Sequence, residues 1–511
     1  MFVFRIFSAP IAWKCGANGT ESNRPLFCGV MMGWFFDTKE GCRPPERARQ
    51  PLFARILGGG MLIRDGKSWV YAIFGVVVLG SALGNLSQTG LNAMLVTVCA
   101  EFGISTGLGQ SLTTAYMFVL GAVVPLSAYF MGRFRLKDLS AGSVALFAAG
   151  SAVCACAGGF VSLFVGRVMQ AAAAGMLLPV LQTIAMTHFP DGRKATAMGI
   201  AGVAMGFAPN IGPTIGGAMV DSTGWRSFFV LLSVLSCAVL LFCLLFIERR
   251  DDASRRTPLD FLSFVLSTVA FGGMLVGCSE ASSVPFSHPF VWTPILVGAS
   301  ALVWFVMRQR RIADPLIDMG IFADAGFRAG FVAQCLLFAS FMGITLLVPL
   351  YIENLCGGTP MEAGMVLLPG TVAALIVNPL AGLLTDKAGI RPVALVSGVL
   401  LSVGALSMVL CDETTPLWLV CVMQGVRALG VSGLVGPLSS WSLKGLAGKR
   451  IADGSAFATA VRQTCASIGT AMMVFCVEGA ALAGSAGFHA AFGLSAAFAV
   501  GAFICIAIRI R

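Results

Sequence analysis

Arg167 and Gln170 stand three residues apart in the otherwise apolar run Gly166-Arg167-Val168-Met169-Gln170-Ala171. On a helix that spacing puts a guanidinium and a carboxamide on one face, a pair suited to holding charge or contacting a polar solute in an apolar setting. Asn85, Gln88, Asn92 and Gln182 add neutral hydrogen-bonding groups among Met and Phe, a lining for amphipathic solutes. Glu280 closes another apolar run, and two readings stand for it: a proton carrier open to the exterior, or a hydrated loop residue. Bond-making chemistry has no comparable support. The three histidines, His188, His288 and His489, are far apart, and neither metal-ligand spacing nor a phosphate-cradling Gly-x-x-x-x-Gly-Lys-Ser/Thr loop occurs. No catalytic residue, metal site or cofactor is expected.

The elements that position these groups follow from composition. Of 511 residues 57% are hydrophobic and 11% charged, more apolar surface than a soluble core absorbs. Fourteen apolar blocks of membrane-crossing length are separated by short polar stretches. They cover 69–96, 109–131, 139–158, 161–187, 194–220, 227–247, 259–279, 289–307, 327–351, 360–384, 392–411, 415–440, 452–477 and 486–508. With the N-terminus inside, the cytoplasmic loops and C-terminus carry twenty Lys and Arg, among them Arg133, Lys194, Arg308, Lys387, Arg391 and Arg450; the opposite loops carry Arg226. One missed span would invert every later loop, so this bias supports the span count. It also explains the net charge of +10 without nucleic-acid binding. The sixteen cysteines read mostly as small apolar side chains within spans. Residues 1–60, mixed in composition, are expected to be a disordered N-terminal extension, with a start nearer Met61 as the alternative.

The chain also repeats itself. At an offset of 254, Val123, Pro125, Leu126, Arg133 and Lys137 align with Val377, Pro379, Leu380, Lys387 and Arg391, and Val168-Met169-Gln170 aligns with Val422-Met423-Gln424. Spans 1–6 therefore correspond to 9–14, with spans 7 and 8 inserted. An even number of intervening spans keeps the halves parallel. The expected fold is an all-α polytopic membrane protein of two parallel-repeat six-helix bundles, residues 61–250 and 312–511, plus two inserted central helices in 251–311.

Span 5 contains Gly206-Phe207-Ala208-Pro209-Asn210-Ile211-Gly212-Pro213-Thr214-Ile215-Gly216-Gly217. Small residues four apart allow close helix packing, and a membrane helix tolerates such prolines. Here the chain resembles the major facilitator superfamily, within it the fourteen-span drug:proton antiporters. Gly206, Pro209, Gly212, Pro213, Gly216 and Gly217 match the antiporter signature, for which the resemblance implies a tight, leak-sealing contact between the halves. The loop from Gly382 to Arg391, with Asp386, Lys387 and Gly389, is similar to the family's gate pattern. Physically, Asp386 can pair with cations or with a helix N-terminus across the cytoplasmic gate. Its N-half copy keeps Arg133 but has Gly132 in place of the aspartate and Arg135 in place of the turn glycine.

Arg167 and Gln170 resemble the family's span 4 element. Arg167, Arg427 and Arg462 are the Lys/Arg residues inside spans, where a charge either faces a cavity or partner or is bonded to backbone carbonyls. The chain departs from the family in span 1, where Ser87 stands at the usual aspartate position and cannot titrate in the physiological range. The resemblance implies a multi-pass cell-membrane protein with both termini cytoplasmic. It would export lipophilic or amphipathic small molecules by alternating access, coupled to protons. A metabolite carrier or importer on the same fold, or a non-transporting sensor, is the alternative.

Overall fold

The structure, a computed structural model, describes residues 66–248, 260–280, 288–479 and 485–510; the expected disorder of residues 1–60 lies outside them. The described residues form helices connected by short turns, with no strand among them. Fourteen long helices follow in order. They are α1 (Gly66–Phe102), α2 (Thr106–Arg133), α3 (Leu136–Ala155), α4 (Phe160–Thr187), α5 (Lys194–Thr223), α6 (Trp225–Phe246) and α7 (Phe261–Glu280). The rest are α8 (Pro289–Gln309), α9 (Ala325–Asn354), α10 (Pro360–Ala388), α11 (Ile390–Met408), α12 (Leu417–Lys444), α13 (Lys449–Gly479) and α14 (Ala486–Arg509). All but α5 have both the length and the hydropathy to cross a membrane. In α5 the Gly, Pro and Asn residues of the signature replace aliphatic side chains and lower its hydropathy without breaking the helix.

Local chemistry sets the ends. Ser105 caps α2 and Asp324 caps α9 through side-chain oxygens that accept backbone N–H groups. Thr359 and Glu362 form a reciprocal capping box ahead of α10, with Pro360 in its first turn. Between α10 and α11 the chain reverses at Gly389, whose φ of 83° suits glycine. At the repeat-related position Arg135 has φ −61°, so the turn between α2 and α3 takes another path. Lys137 there donates to the Ile247 carbonyl at the end of α6, a cation at a helix C-terminus.

Packing reproduces the internal repeat. α1 packs on α5 as α9 does on α13, α2 on α4 as α10 on α12, and α3 on α4 and α6 as α11 on α12 and α14. The halves meet along two seams: α5 against α10 and α12, and α13 against α2 and α4. The inserted α7 lies over the second seam, touching α2 and α13, with α8 packed on it. A π turn at Thr268–Gly272 interrupts α7 where Phe271 meets Phe457 of α13 edge-on. Outward faces of α6 and α8 leave Val234, Leu241, Leu245, Phe290, Leu296 and Trp304 exposed, the apolar belt a bilayer covers.

Candidate functional site

The polar groups of the interior collect in one cluster per bundle, and a third lies at the seam. In the first bundle Arg167 of α4 is fully buried. Its Nη1 donates to the Ser87 carbonyl at 2.9 Å, the Ser87 Oγ at 2.8 Å and the Gln170 Oε1 at 3.1 Å. Ser87 Oγ donates to Gln170 Oε1 at 2.9 Å, and Gln170 Nε2 to Ser151 Oγ at 2.8 Å. The Tyr116 ring lies 4.2 Å from the guanidinium carbon, and its hydroxyl donates to the Gly84 carbonyl. Serine thus meets the arginine where a carboxylate would have made an ion pair. Nε and Nη2 of Arg167 find no protein acceptor.

The second bundle holds a related pair one turn displaced. Gln424, the repeat partner of Gln170, accepts from Arg427 Nε at 2.9 Å inside α12, again fully buried. At the seam, Arg462 of α13 lies 4.4 Å from the Phe338 ring of α9 and reaches Met205 Sδ of α5 at 3.5 Å. Its Nη1 meets Gln334 Oε1 at 3.5 Å, an oxygen already accepting from Ser439 Oγ at 3.0 Å. None of these three arginines has an acidic partner among the described residues.

The other sequence-predicted polar residues divide. Asn85 donates to the Ser81 carbonyl and lines a central void of about 10 Å³ with Leu120, Thr459 and Gln463, room for about one water. Gln88 reaches Met117 Sδ, while Asn92 is exposed toward the face opposite the basic loops and accepts from Thr113 at 3.4 Å. Glu280, half-buried at the end of α7, accepts from Thr114 of α2 at 3.1 Å. It lies apart from Arg167, the charge-holding candidate, and among the described residues no hydrogen bond joins the two.

On the basic side, contacts cross both seams. Asp386 of α10 accepts from Ala195 N at 3.1 Å, Thr196 N at 2.7 Å and Thr196 Oγ1 at 2.6 Å, a carboxylate on the N-terminus of α5. Arg133, Lys387 and Arg391 are exposed on this face, with Gly389 at the turn. Above Asp386 the helices touch backbone to backbone: a Cβ on Gly382 would strike Ala195 O, one on Gly199 the Asn378 carbonyl, and one on Gly436 would sit 2.7 Å from Gly199 Cα. On the other seam Ser455 Oγ of α13 donates to Pro179 O at 3.1 Å and Gln182 Oε1 at 2.9 Å of α4.

The sealing role expected of the whole antiporter signature is divided in the structure. Gly212 and Gly216 pack on Leu86, Thr89 and Gly90 of α1 in their own bundle, and Thr89 Oγ1 donates to Pro209 O at 2.8 Å. Contact with the other half comes from Gly206 beside Asn378 and from Asn210, which accepts from Thr345 of α9 at 3.5 Å. Pro213 lies within the same helix, and Gly217 faces open space. The closest inter-bundle packing of α5 instead uses its earlier turns at Gly199 and Gly202, before the signature begins.

A latch that sequence reading missed ties the α8–α9 loop to α13. Asp453, fully buried, accepts from Asp318 N at 3.0 Å, while Asp318 accepts from Gly320 N at 2.7 Å and Arg450 Nε at 2.8 Å. Partial burial disfavours charge on Asp318, but the Gly320 N–H and the Arg450 and Lys449 cations outweigh it and hold the carboxyl below the usual range. Asp260, against Arg308 at 3.1 Å, is likewise held low: burial opposes its charge, and Arg308 and Ser263 overcome that. The one signal for this latch was Asp318 and Asp453 flanking the ninth and thirteenth spans. Beside it a cavity of about 470 Å³ opens on the basic face, lined by Tyr129, His188, Asp260, Asp314 and Lys449. On the opposite face Glu101 accepts from Trp225 Nε1 and Arg226 at 2.5 Å each, which pins the single outer-loop cation predicted from sequence.

Comparison with known proteins gives a consistent result. The family model described as Major Facilitator Superfamily matches residues 77–473 and 330–511. An uncharacterized MFS-type transporter of Bacillus subtilis, YcnB, is 34% identical over 439 residues, 85% of this chain and 92% of the relative. The lincomycin resistance protein LmrB of Listeria monocytogenes is 30% identical over 416 residues, 81% of this chain and 87% of that protein. Among solved structures, the proton:xylose symporter XylE superposes with a TM-score of 0.61 at 14% identity, covering 88% of this chain and 97% of that one.

Proposed function

The chain belongs to the major facilitator superfamily, and from that premise we propose that it is a secondary active transporter exporting lipophilic or amphipathic small molecules across the cell membrane. Membership makes it an integral membrane transporter of small molecules. The basic face is read as cytoplasmic, with both termini on that side, and residues 61–250 and 312–511 as the two moving bundles.

The observation that carries the export reading is the character of the seam. A few neutral amides and hydroxyls, Asn85, Gln182, Gln334, Thr459 and Gln463, stand with the cation Arg462 among Met205, Phe338, Leu178 and Leu120. Such a lining recognises bulky amphiphiles better than small hydrophilic metabolites, whose every hydroxyl demands a partner. A relative named for lincomycin resistance supports the same direction. Alternating access then consists of separating the Asp386 and Ser455 contacts on the basic face while the opposite halves of the bundles close.

Proton coupling is part of the proposal. The Arg167 cluster contains Ser87, Gln170, Ser151 and Tyr116, none of which titrates near neutral pH, so it positions rather than carries a proton. Glu280, next to Thr114 near the outer end of α7, is the candidate carrier. The test is a drug-panel efflux assay in cells with and without the protein, repeated with a proton uncoupler. Export that needs the protein and collapses with the uncoupler is the expected result. Unchanged drug accumulation together with altered metabolite secretion would overturn it in favour of a metabolite carrier.

A further inference from the structure

Three guanidiniums lie buried within the helical interior, where a charge is costly before its contacts are made. The one fully buried carboxylate among the described residues, Asp453, cannot offset them. It sits nine residues before Arg462 on α13, about 14 Å of helical rise away, and receives Asp318 N instead. The interior therefore carries an uncompensated positive charge.

The three arginines differ in how well their own bundles hold them. Arg167 is bonded to Ser87 and Gln170 and stacked on Tyr116, entirely within α1, α2 and α4. Arg427 is bonded to Gln424 on its own helix. Arg462 has the longest contacts, an amide oxygen and a thioether both at 3.5 Å beside a phenyl face, and its Nε, like Nε and Nη2 of Arg167 and Nη1 of Arg427, has no acceptor. It is also the one of the three that touches the opposite bundle, through Met205 of α5. When the bundles part, Met205 withdraws and Arg462 becomes a cation at the solute-facing seam, one residue from Gln463 and one turn from Thr459 at the central void.

We propose that the transported solute is an amphipathic anion, with a carboxylate or similar acidic group received by Arg462 in place of Met205 and an apolar body lying against Phe338 and Leu178. The inference rests on the transport reading above and names its substrate class. An anion supplies the missing acceptor for Nε of Arg462 and replaces the long Nη contacts, and a bidentate guanidinium–carboxylate pair is favoured in an apolar site. A cationic amphiphile would instead add a like charge to an interior already positive.

Three probes sharing one apolar body separate the alternatives: pyrenebutanoic acid, pyrenebutanol and pyrenebutylamine, anionic, neutral and cationic at pH 7. Binding to the purified full-length protein is read by pyrene anisotropy, and movement by efflux from proteoliposomes. The acid is expected to bind at least tenfold more tightly than the alcohol, with the amine weakest. Arg462→Met should erase that preference and leave the alcohol within about twofold, and Arg462→Lys should restore part of it. Alcohol binding by Arg462→Met serves as the check that the variant is folded; if it is lost, the Arg462→Lys and wild-type preferences decide. Equal binding of all three probes to the wild type, or a preference that survives Arg462→Met, overturns the anion assignment and leaves transport standing. If no probe binds or moves, the transport reading fails and the anion assignment with it.

Discussion

Asp386→Asn tests the closure of the basic face at the level of individual amides. The N–H groups of Ala195 and Thr196 belong to the first turn of α5 and have no acceptor within that helix. Asp386 satisfies both and also takes the Thr196 hydroxyl. Hydrogen bonds to a charged acceptor contribute about 1.5–3 kcal/mol each, and a negative charge at a helix N-terminus adds about 0.3–1 kcal/mol. Asparagine removes the charge but keeps one carbonyl oxygen. Because the carboxylate is half-buried rather than dry, the expected loss is about 2–3 kcal/mol, roughly 30- to 150-fold in the closed population. Hydrogen exchange in the purified protein should show that loss of protection at Ala195 and Thr196 while the middle of α4 is unchanged. A change below threefold at those two amides would refute the idea that Asp386 holds this face shut.

Other substitutions probe the remaining parts. Gly382→Ala places a methyl on the Ala195 carbonyl and 2.9 Å from Thr196 Cα, where backbone cannot yield; α10 and α5 must separate, at a cost of about 1–3 kcal/mol, read as a lower melting temperature and faster thiol labelling from the basic face. Glu280→Gln should weaken the response of transport to an imposed pH gradient, and full response in the variant removes Glu280 as carrier. Asp318→Asn has a pH signature: since folding lowers the Asp318 pKa, its stabilisation is present above the ordinary carboxylate value near 4 and is lost as pH falls through the lower folded value. Wild type should exceed the variant by under about 1 kcal/mol at pH 6–7, Arg450 being half-exposed, and the two should converge below about pH 3.

The positions of the helices are legible in the sequence because each needs about 20 apolar residues and the Lys/Arg bias fixes the parity of the loops. α5 is the instructive case. Its glycines and prolines depress its hydropathy, yet they identify a helix built for close approach. Which neighbour each glycine approaches is a matter of rotation about the helix axis. That is why Gly212 and Gly216 turn out to face α1, while Gly199 and Gly202 face Asn378 across the seam. The isolated arginines stand out in a sequence through the rarity of intramembrane charge, but their partners do not. The Ser87–Arg167–Gln170–Ser151 network joins α1, α3 and α4, and Arg462 meets α5 and α9, contacts that only the packing creates. The Asp318–Asp453 latch was hidden for a further reason: it pairs a carboxylate with a backbone N–H, and backbone groups leave no compositional trace.

Alternating access by two bundles hinging at these seams is tested most directly by tethering the basic face. With the native cysteines replaced, Thr196→Cys and Asp386→Cys place thiols on α5 and α10 where the native side chains bond at 2.6 Å, and a short reducible bifunctional thiol reagent can join them. Efflux of a lipophilic probe from proteoliposomes is then measured before tethering, after it, and after reductive release. The tethered protein should lose transport and recover it on reduction, with either single-cysteine variant unaffected by the reagent. Transport that continues at the untethered rate with the link intact would contradict movement of the two bundles at this seam.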